Sequence, residues 1–159
     1  MRRRKLFYQI YIPFTLVTLL SLLGAAWYTS RILRSFYLDE TEASLSAKAR
    51  LIAENLSAEM VRGEYGSVAV LSRKLGGESG IRVTVMLPDG AVIGDSEEEP
   101  DRMENHLDRP EILNAINKGT GVSTRFSHTL NKRMMYVAVP VVAGGRTIGI
   151  VRTAKLFQQ

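Results

Sequence analysis

Residues 6–30 contain no charged side chain. This 25-residue run holds Ile10, Ile12, Phe14, Leu16, Val17, Leu19, Leu20, Leu22 and Leu23, more contiguous apolar chain than a small soluble core accommodates. Wound as a helix at about 1.5 Å per residue it reaches about 37 Å, enough to cross a ~30 Å hydrocarbon layer with some tilt. Tyr8 and Tyr11 near one end, and Trp27 and Tyr28 near the other, fall at the depths where amphipathic rings favour the headgroup zone. Pro13 falls in the first turns, where lost backbone bonding is most easily repaired. A cleavable signal peptide competes with this reading, because Gly24 and Ala26 have the small side chains a peptidase site needs. The run, however, exceeds the ~7–15 apolar residues of a typical signal h-region, and either reading exports the remainder of the chain.

The charge distribution supports the span. The 159 residues carry 21 Lys and Arg against 16 Asp and Glu, a net +5 that taken alone points to a nucleic-acid or anionic-surface binder. Six of those cations, Arg2, Arg3, Arg4, Lys5, Arg31 and Arg34, flank the uncharged run, which leaves 15 basic and 16 acidic groups in 35–159. The excess is therefore a topology signal, and no basic groove for nucleic acid is expected. Four cations precede the span, while Asp39, Glu40 and Glu42 mix with Arg31 and Arg34 after it. The positive-inside bias then places residues 1–5 in the cytoplasm, 6–30 across the plasma (inner) membrane and 31–159 outside the cytoplasm. The absence of cysteine excludes a disulfide framework and a thiolate metal site.

Beyond the span, residues 31–62 have neither Pro nor Gly and place Leu38, Glu42, Leu45, Ala49, Ile52, Leu56 and Met60 at three- and four-residue steps, a helical stripe. The seven-residue spacing of Leu38, Leu45 and Ile52 also suits a homodimer through the 31–62 helix. Packing of the stripe on its own domain is the equal alternative. Residues 68–75 read as a second short helix, closed by Gly76, Gly77 and Gly80.

The period then falls from 3.6 to 2. Ile81, Val83, Val85 and Leu87 alternate with Arg82, Thr84 and Met86, and Pro88-Asp89-Gly90 turns into 91–94, a hairpin. Asp95 to Glu104, with six carboxylates, one Arg and Pro100, reads as a surface loop. At Asp108-Arg109-Pro110-Glu111 a helix is expected to start, with Asp108 as the cap and Glu111 reaching back as its capping-box partner. Ile112, Ala115 and Ile116 give its buried face and Gly119 ends it. Three more strands come after it, 122–129, 134–142 and 147–155, joined by Leu130-Asn131-Lys132-Arg133 and Ala143-Gly144-Gly145-Arg146. Pro140 cannot donate to a ladder, so its strand must be bulged or at an edge there. The fold class is α+β: a transmembrane helix continuing into a long helix (31–62), then a core over 66–156 with a five-stranded antiparallel sheet covered on one face by helices.

The parts of familiar enzymes are missing. No phosphate-binding Gly-x-x-x-x-Gly-Lys loop, His-Glu-x-x-His or Gly-x-Ser-x-Gly occurs, and neither His106 nor His128 stands in a catalytic motif. Both read as surface or hydrogen-bonding residues. The acidic run from Asp95 fails as an EF-hand, because Pro100 takes the sixth position and His106 the twelfth. A looser divalent-cation patch competes there with a solvated charge run. The chain as it stands is read as no enzyme.

A set of short pieces carries a resemblance: Arg82-Val83-Thr84-Val85, Pro88-Asp89-Gly90, Gly94-Asp95-Ser96, Met103-Glu104-Asn105-His106, Arg109-Pro110-Glu111, Gly119, Gly121, Arg125, Ser127, Thr129, Met135-Tyr136-Val137-Ala138-Val139-Pro140 and Gly149. In order and spacing they resemble the extracytoplasmic sensor region of bacterial transmembrane sensor histidine kinases of the phosphate-regulon type, whose outer domain has a PAS-like (Cache) fold. That resemblance implies a receptor that detects an envelope or extracellular condition and signals through a second span to a cytoplasmic autokinase. ATP, Mg and a response regulator would belong to that kinase core, which this chain lacks, so the chain is expected to be a truncated product and to need no cofactor of its own. A small-molecule or envelope ligand is expected near Arg125 and Tyr136 on the sheet, with Asn105, His106 and Arg109 from the connecting segment. Arg125 or Arg109 can hold a carboxylate or phosphate through paired donors. Alternatives are the sensor region of a chemotaxis receptor or cyclic-dinucleotide enzyme, or a stand-alone anchored binding or scaffold protein.

Overall fold

A computed structural model describes the backbone of residues 2–127 and 132–156, and the side chains of residues 9–126 and 132–156. His128, Thr129, Leu130, Asn131 and the side chain of Tyr8 lie outside the described residues. The first helix, α1 (Arg2–Arg62), crosses a boundary between two units, 1–40 and 41–159.

In the first unit the helix is long and apolar enough to cross a membrane. Ile10, Phe14, Val17, Leu20 and Leu23 all present exposed side chains. Pro13 sits within the helix. The Arg31 guanidinium lies 5.6 Å from the centre of the Trp27 ring, so this cation rests on the aromatic residue that marks the polar end of the apolar stretch.

The second unit is built on a five-stranded antiparallel sheet of order β2-β1-β5-β4-β3: β1 (Arg82–Met86), β2 (Val92–Asp95), β3 (Gly121–Ser127), β4 (Lys132–Ala143) and β5 (Arg146–Leu156). Lys132 and Arg133, expected in a turn, extend β4 and pair with Ser127 and Phe126. The β4–β5 turn has Gly144 and Gly145 both at positive φ (56° and 76°), as a two-residue hairpin matched to strand twist requires. Register with β3 ends at Ala138, so Pro140 falls where β4 has lost its neighbour on that side, just before a bulge at Val141/Val142. The proline is thus at a local edge.

Both faces of the sheet are covered, and this corrects the expectation of helices on one face. The register places Val83, Val85, Val137, Val139, Val151 and Thr153 on one face. That face meets α1 and α2 (Tyr65–Ser79): Thr153 Oγ1 donates to the Leu45 carbonyl at 3.1 Å, and Gly94 of β2 sits against Ser72 and Ala69. Leu45, Ala49, Ile52, Leu56 and Met60 are buried here. The helical stripe therefore packs on its own domain, and the Leu45 and Ile52 positions of the heptad seam are consumed by it. Helix α2 runs through Gly76 and Gly77 and ends at Gly80 in the left-handed region (φ 64°). Gly76 is a helix-interior glycine whose small size is required because a side chain there would strike Ser96.

The opposite face carries Arg82, Thr84, Met86, Met134, Tyr136, Ala138, Ile150, Arg152 and Ala154. Part of it is closed by α3 (Pro110–Lys118), whose Ile112 and Ala115 pack with Met86, Ala138 and Ile150. The rest lies under the 96–109 segment, where Asn105 Nδ2 donates to the Asp89 carbonyl (2.8 Å) and the His106 N–H to the Gly90 carbonyl (3.0 Å). Gly90 has φ 86°, and Asn105 and Leu107 approach it too closely to admit a side chain. The connecting segment is thereby fastened to the β1–β2 turn.

Candidate functional site

The second face of the sheet buries guanidinium groups where a plain hydrophobic layer would be expected. Arg152 of β5 is 3% exposed. Diagonal to it on β4, beside its register partner Ala138, is the Tyr136 ring, over which both Arg125 (4.1 Å to the ring centre) and Arg152 (5.1 Å) lie, a cation–π arrangement with Arg152 buried and Arg125 partly so. One carboxylate serves both cations: Glu111 Oε1 accepts from Arg125 Nη2 at 3.0 Å and from Arg152 Nη1 at 3.4 Å. Arg152 Nη2 also donates to Thr84 Oγ1 (3.0 Å), which donates to Asp95 Oδ2 (2.6 Å). Asp95 in turn accepts from Arg82 Nε at 3.1 and 3.2 Å and from the N–H groups of Glu97 and Glu98. A polar chain thus runs Arg82–Asp95–Thr84–Arg152–Glu111–Arg125 across the sheet.

Above it opens a cleft of about 580 Å³ lined by Arg82, Glu98, Arg102, Met103, Glu104, His106, Arg109, Arg125, Tyr136 and Arg152. Five of those ten residues are arginines. Several buried polar atoms in and beneath the cleft make no hydrogen bond with the described residues: Nε of Arg109, Arg125 and Arg152, Nδ1 of His106 and Oε2 of Glu111. Buried N–H donors left without acceptors are costly, on the order of 1–3 kcal/mol each. An acceptor-rich occupant would satisfy them. Arg109 stands in ion-pair range of the exposed Glu104 (3.8 Å) and Asp108 (3.6 Å) but at separations too long for hydrogen bonds, so neither carboxylate saturates its donors.

Electrostatics agree with the geometry. Burial lowers the Arg152 guanidinium to about 10, with Arg125 and Arg82 adding to the shift and Glu111 and Tyr136 opposing it. It stays charged at neutral pH. His106 is held below its ordinary 6.5 by burial first, then by the fields of Arg152, Arg109 and Arg125, with the Asn105 backbone pulling the other way. Among the described residues, no three His, Asp or Glu side chains come together to hold a metal ion.

Of the expected ligand residues, Arg125, Tyr136, His106 and Arg109 converge on this cleft, and Asn105 does not line it. Asn105 bonds instead to Asp89 and, through Oδ1, to the Leu107 N–H. Two further corrections concern acids. Glu111 is not a capping-box partner: α3 starts with Arg109 at the N-cap position without a side-chain cap, and the fully buried Glu111 is instead shared between the Arg125 and Arg152 guanidiniums. Asp95 is no solvated loop residue, being 1% exposed and paired to Arg82. The sequence reading missed Arg152, Arg82, Arg102 and Glu111. A signal did exist: Arg152 is in phase with Ile150 and Ala154 on β5, and Glu111 is one turn before Ala115 on α3, both at inward positions.

A second cleft, about 550 Å³, lies between the end of α2 and the strand ends, lined by Gly76, Gly77, Gly80, Lys132, Met134, Ala154 and Lys155 among others, and it shares Arg82 with the first.

No family model matches the chain, and no curated protein matches it. Solved structures do. The sensor domain of the V. cholerae histidine kinase DctB is similar at a TM-score of 0.68 and 16% identity, over 81% of this chain and 54% of that one. The ligand-binding domain of the Campylobacter jejuni chemoreceptor Tlp3, in complex with 4-methylisoleucine, matches at 0.64 and 10%, over 75% and 52%. The E. coli DcuS sensor domain matches at 0.56 and 16%, over 72% of this chain and 90% of that one. The chain spans about half the length of the DctB and Tlp3 structures. At these identities the likeness establishes the fold alone, a PAS/Cache-like α+β domain, which in this chain follows a long apolar N-terminal helix.

Proposed function

We propose that this chain is a membrane-anchored sensing region of a bacterial signalling receptor, with residues 31–159 outside the cytoplasm, and that the arginine-lined cleft binds a small anion bearing a carboxylate or phosphate. One observation carries the reading: Arg125 and Arg152, stacked on Tyr136, share a single carboxylate and keep buried Nε donors unpartnered beside a cleft. Each residue then has a role. Arg125 and Arg109 grip the anion through their forks, Arg152 supplies charge from the floor, Tyr136 positions both sheet guanidiniums, and His106 closes the side wall.

The output is a separate matter. A histidine kinase and a chemoreceptor both contain domains of this fold, so the sensing role has broader support than a kinase of the phosphate-regulon type. The kinase reading rests on the sequence resemblance alone. A homodimer through 31–62 is also part of the proposal, and with Leu45 and Ile52 buried it would use outward positions such as Leu51 and Val61.

The test is calorimetric titration of the full chain in nanodiscs with inorganic phosphate, malonate and succinate. Saturable binding of at least one anion, lost in Arg125→Ala while circular dichroism and the melting curve stay folded, is the expected result. Anion-independent melting together with no heat of binding for the whole panel removes the reading.

A further inference from the structure

We infer that His106 is a proton-coupled ligand group of the cleft, so that the anion binds together with a proton and the receptor reads a small anion and acidity jointly. This rests on the anion-binding reading above and extends it to how the same site is regulated.

The placement of the ring supports it. His106 is 8% exposed, it lines the cleft beside Arg109, Arg125 and Arg152, and its Nδ1 makes no hydrogen bond with the described residues. Its backbone is held on both sides, by the N–H to the Gly90 carbonyl and by its carbonyl accepting from the Arg109 N–H at 3.1 Å. The backbone is thus fixed at the cleft wall, and the buried ring it carries has an uncommitted nitrogen. A merely structural histidine would have that nitrogen paired.

The charged groups around it come from every surrounding element. Arg152 on β5, Arg125 on β3 and Arg82 on β1 face the cleft, with Tyr136 on β4 between them, and Arg102, Arg109, Glu98 and Glu104 come from the covering segment. Glu111 on α3 lies beneath, its charge already shared by Arg125 and Arg152. Burial, and then the fields of Arg152, Arg109 and Arg125, oppose a positive charge on the ring and lower its proton affinity. An anion seated on those guanidiniums cancels their field and offers an acceptor oxygen to Nδ1–H. The imidazolium is then favoured where it was penalised. The proton comes from solvent and goes to the ring, and no covalent bond in the anion changes.

Linkage gives the sign. Because the bound state holds the proton more tightly than the free state, anion affinity rises as pH falls and levels off below the free-state value of His106. If the two states differ by about one pH unit in their proton affinity, the total gain is about tenfold.

The test uses the full chain in nanodiscs and titrates malonate, succinate and inorganic phosphate between pH 5 and 8, in two buffers of different ionisation enthalpy. Each probe titrates within part of this range, the dicarboxylates at its acid end and phosphate nearer its middle, so proton uptake is compared with His106→Gln for each probe. The expected result is net proton uptake on binding near pH 6, abolished in His106→Gln, with the variant still folded and its affinity flat in pH beyond the titration of the probe itself. The imidazole carbon resonances of the unmodified chain give a second readout that needs no variant: one histidine should titrate higher with saturating anion than without. Binding with no proton uptake and no shifted histidine overturns the coupling and leaves the anion site standing. No binding of any probe at any pH overturns both.

Discussion

Glu111 and Arg152 stand 41 residues apart in the chain, yet Glu111 Oε1 lies 3.4 Å from Arg152 Nη1 with both side chains buried. The same oxygen takes Arg125 at 3.0 Å. A single anion between two cations in a low-dielectric layer leaves one positive charge uncompensated, and that imbalance is the electrostatic support for the proposed anion site in the cleft above them. The electrostatic demand is structural before it is functional.

Removing the shared carboxylate therefore harms the fold itself. Glu111→Ala is expected to lower stability by about 3–5 kcal/mol, the range for deleting one partner of a buried ion pair. Thermal unfolding of the full chain in nanodiscs measures it. A melting temperature within a degree of the original would show that water or another group compensates.

Two glycines should respond in opposite directions. Gly121 of β3 lies so close to the Glu111 carbonyl that a methyl group cannot fit, so Gly121→Ala forces α3 away from the sheet and costs about 3 kcal/mol. Gly77, inside α2, faces open space. There Gly77→Ala raises helix propensity and should stabilise by about 0.5–1 kcal/mol. Equal effects of one sign would contradict the packing of α3 on Gly121.

The acid side of the stability curve should carry the mark of His106. Its folded-state value lies below the ordinary 6.5. Above pH 6.5 the ring is neutral in both folded and unfolded chains and its burial carries no ionic penalty. As pH falls through 6.5 the unfolded chain takes up the proton first, so stability declines until the folded-state value is passed. The melting temperature from pH 8 to 5 should therefore fall less steeply in His106→Gln. Parallel curves would mean that the ring is solvated after all.

Membrane topology can be read directly. An alkaline phosphatase fused after Gln159 should be active, and a fluorescent reporter at the N-terminus should stay cytosolic, because four cations precede the apolar run. A phosphatase-negative fusion with normal expression would reverse the orientation and place the cleft in the cytoplasm.

Legibility varied with the kind of signal. The period-3.6 stripe from Leu45 to Met60 and the strands around Val83, Val137 and Val151 were readable, because burial against one neighbour imposes a local periodicity. Turns were readable where glycine must take positive φ, as at Gly144 and Gly145. Gly76 was misread as a helix stop, since a glycine required for close approach to Ser96 looks in sequence like one required for a turn. Of the five residues expected around a ligand, Arg125, Tyr136, His106 and Arg109 line the cleft, while Asn105 bonds to Asp89 and Leu107. The pairing of Arg152 with Glu111 is not legible locally, because the partners lie on distant elements; the only local sign is that each falls at an inward position of its own strand or helix.

Determined by the sequence alone were the long apolar helix, its charge asymmetry, the α+β class and the approximate strands, all set by interactions between residues near one another in the chain. Only the tertiary structure decided the order β2-β1-β5-β4-β3, the covering of both sheet faces and the meeting of Arg82, Asp95, Thr84, Arg152, Glu111 and Arg125. Those depend on which distant groups share a dry layer, where a charge is tolerable only if another part of the chain arrives to compensate it.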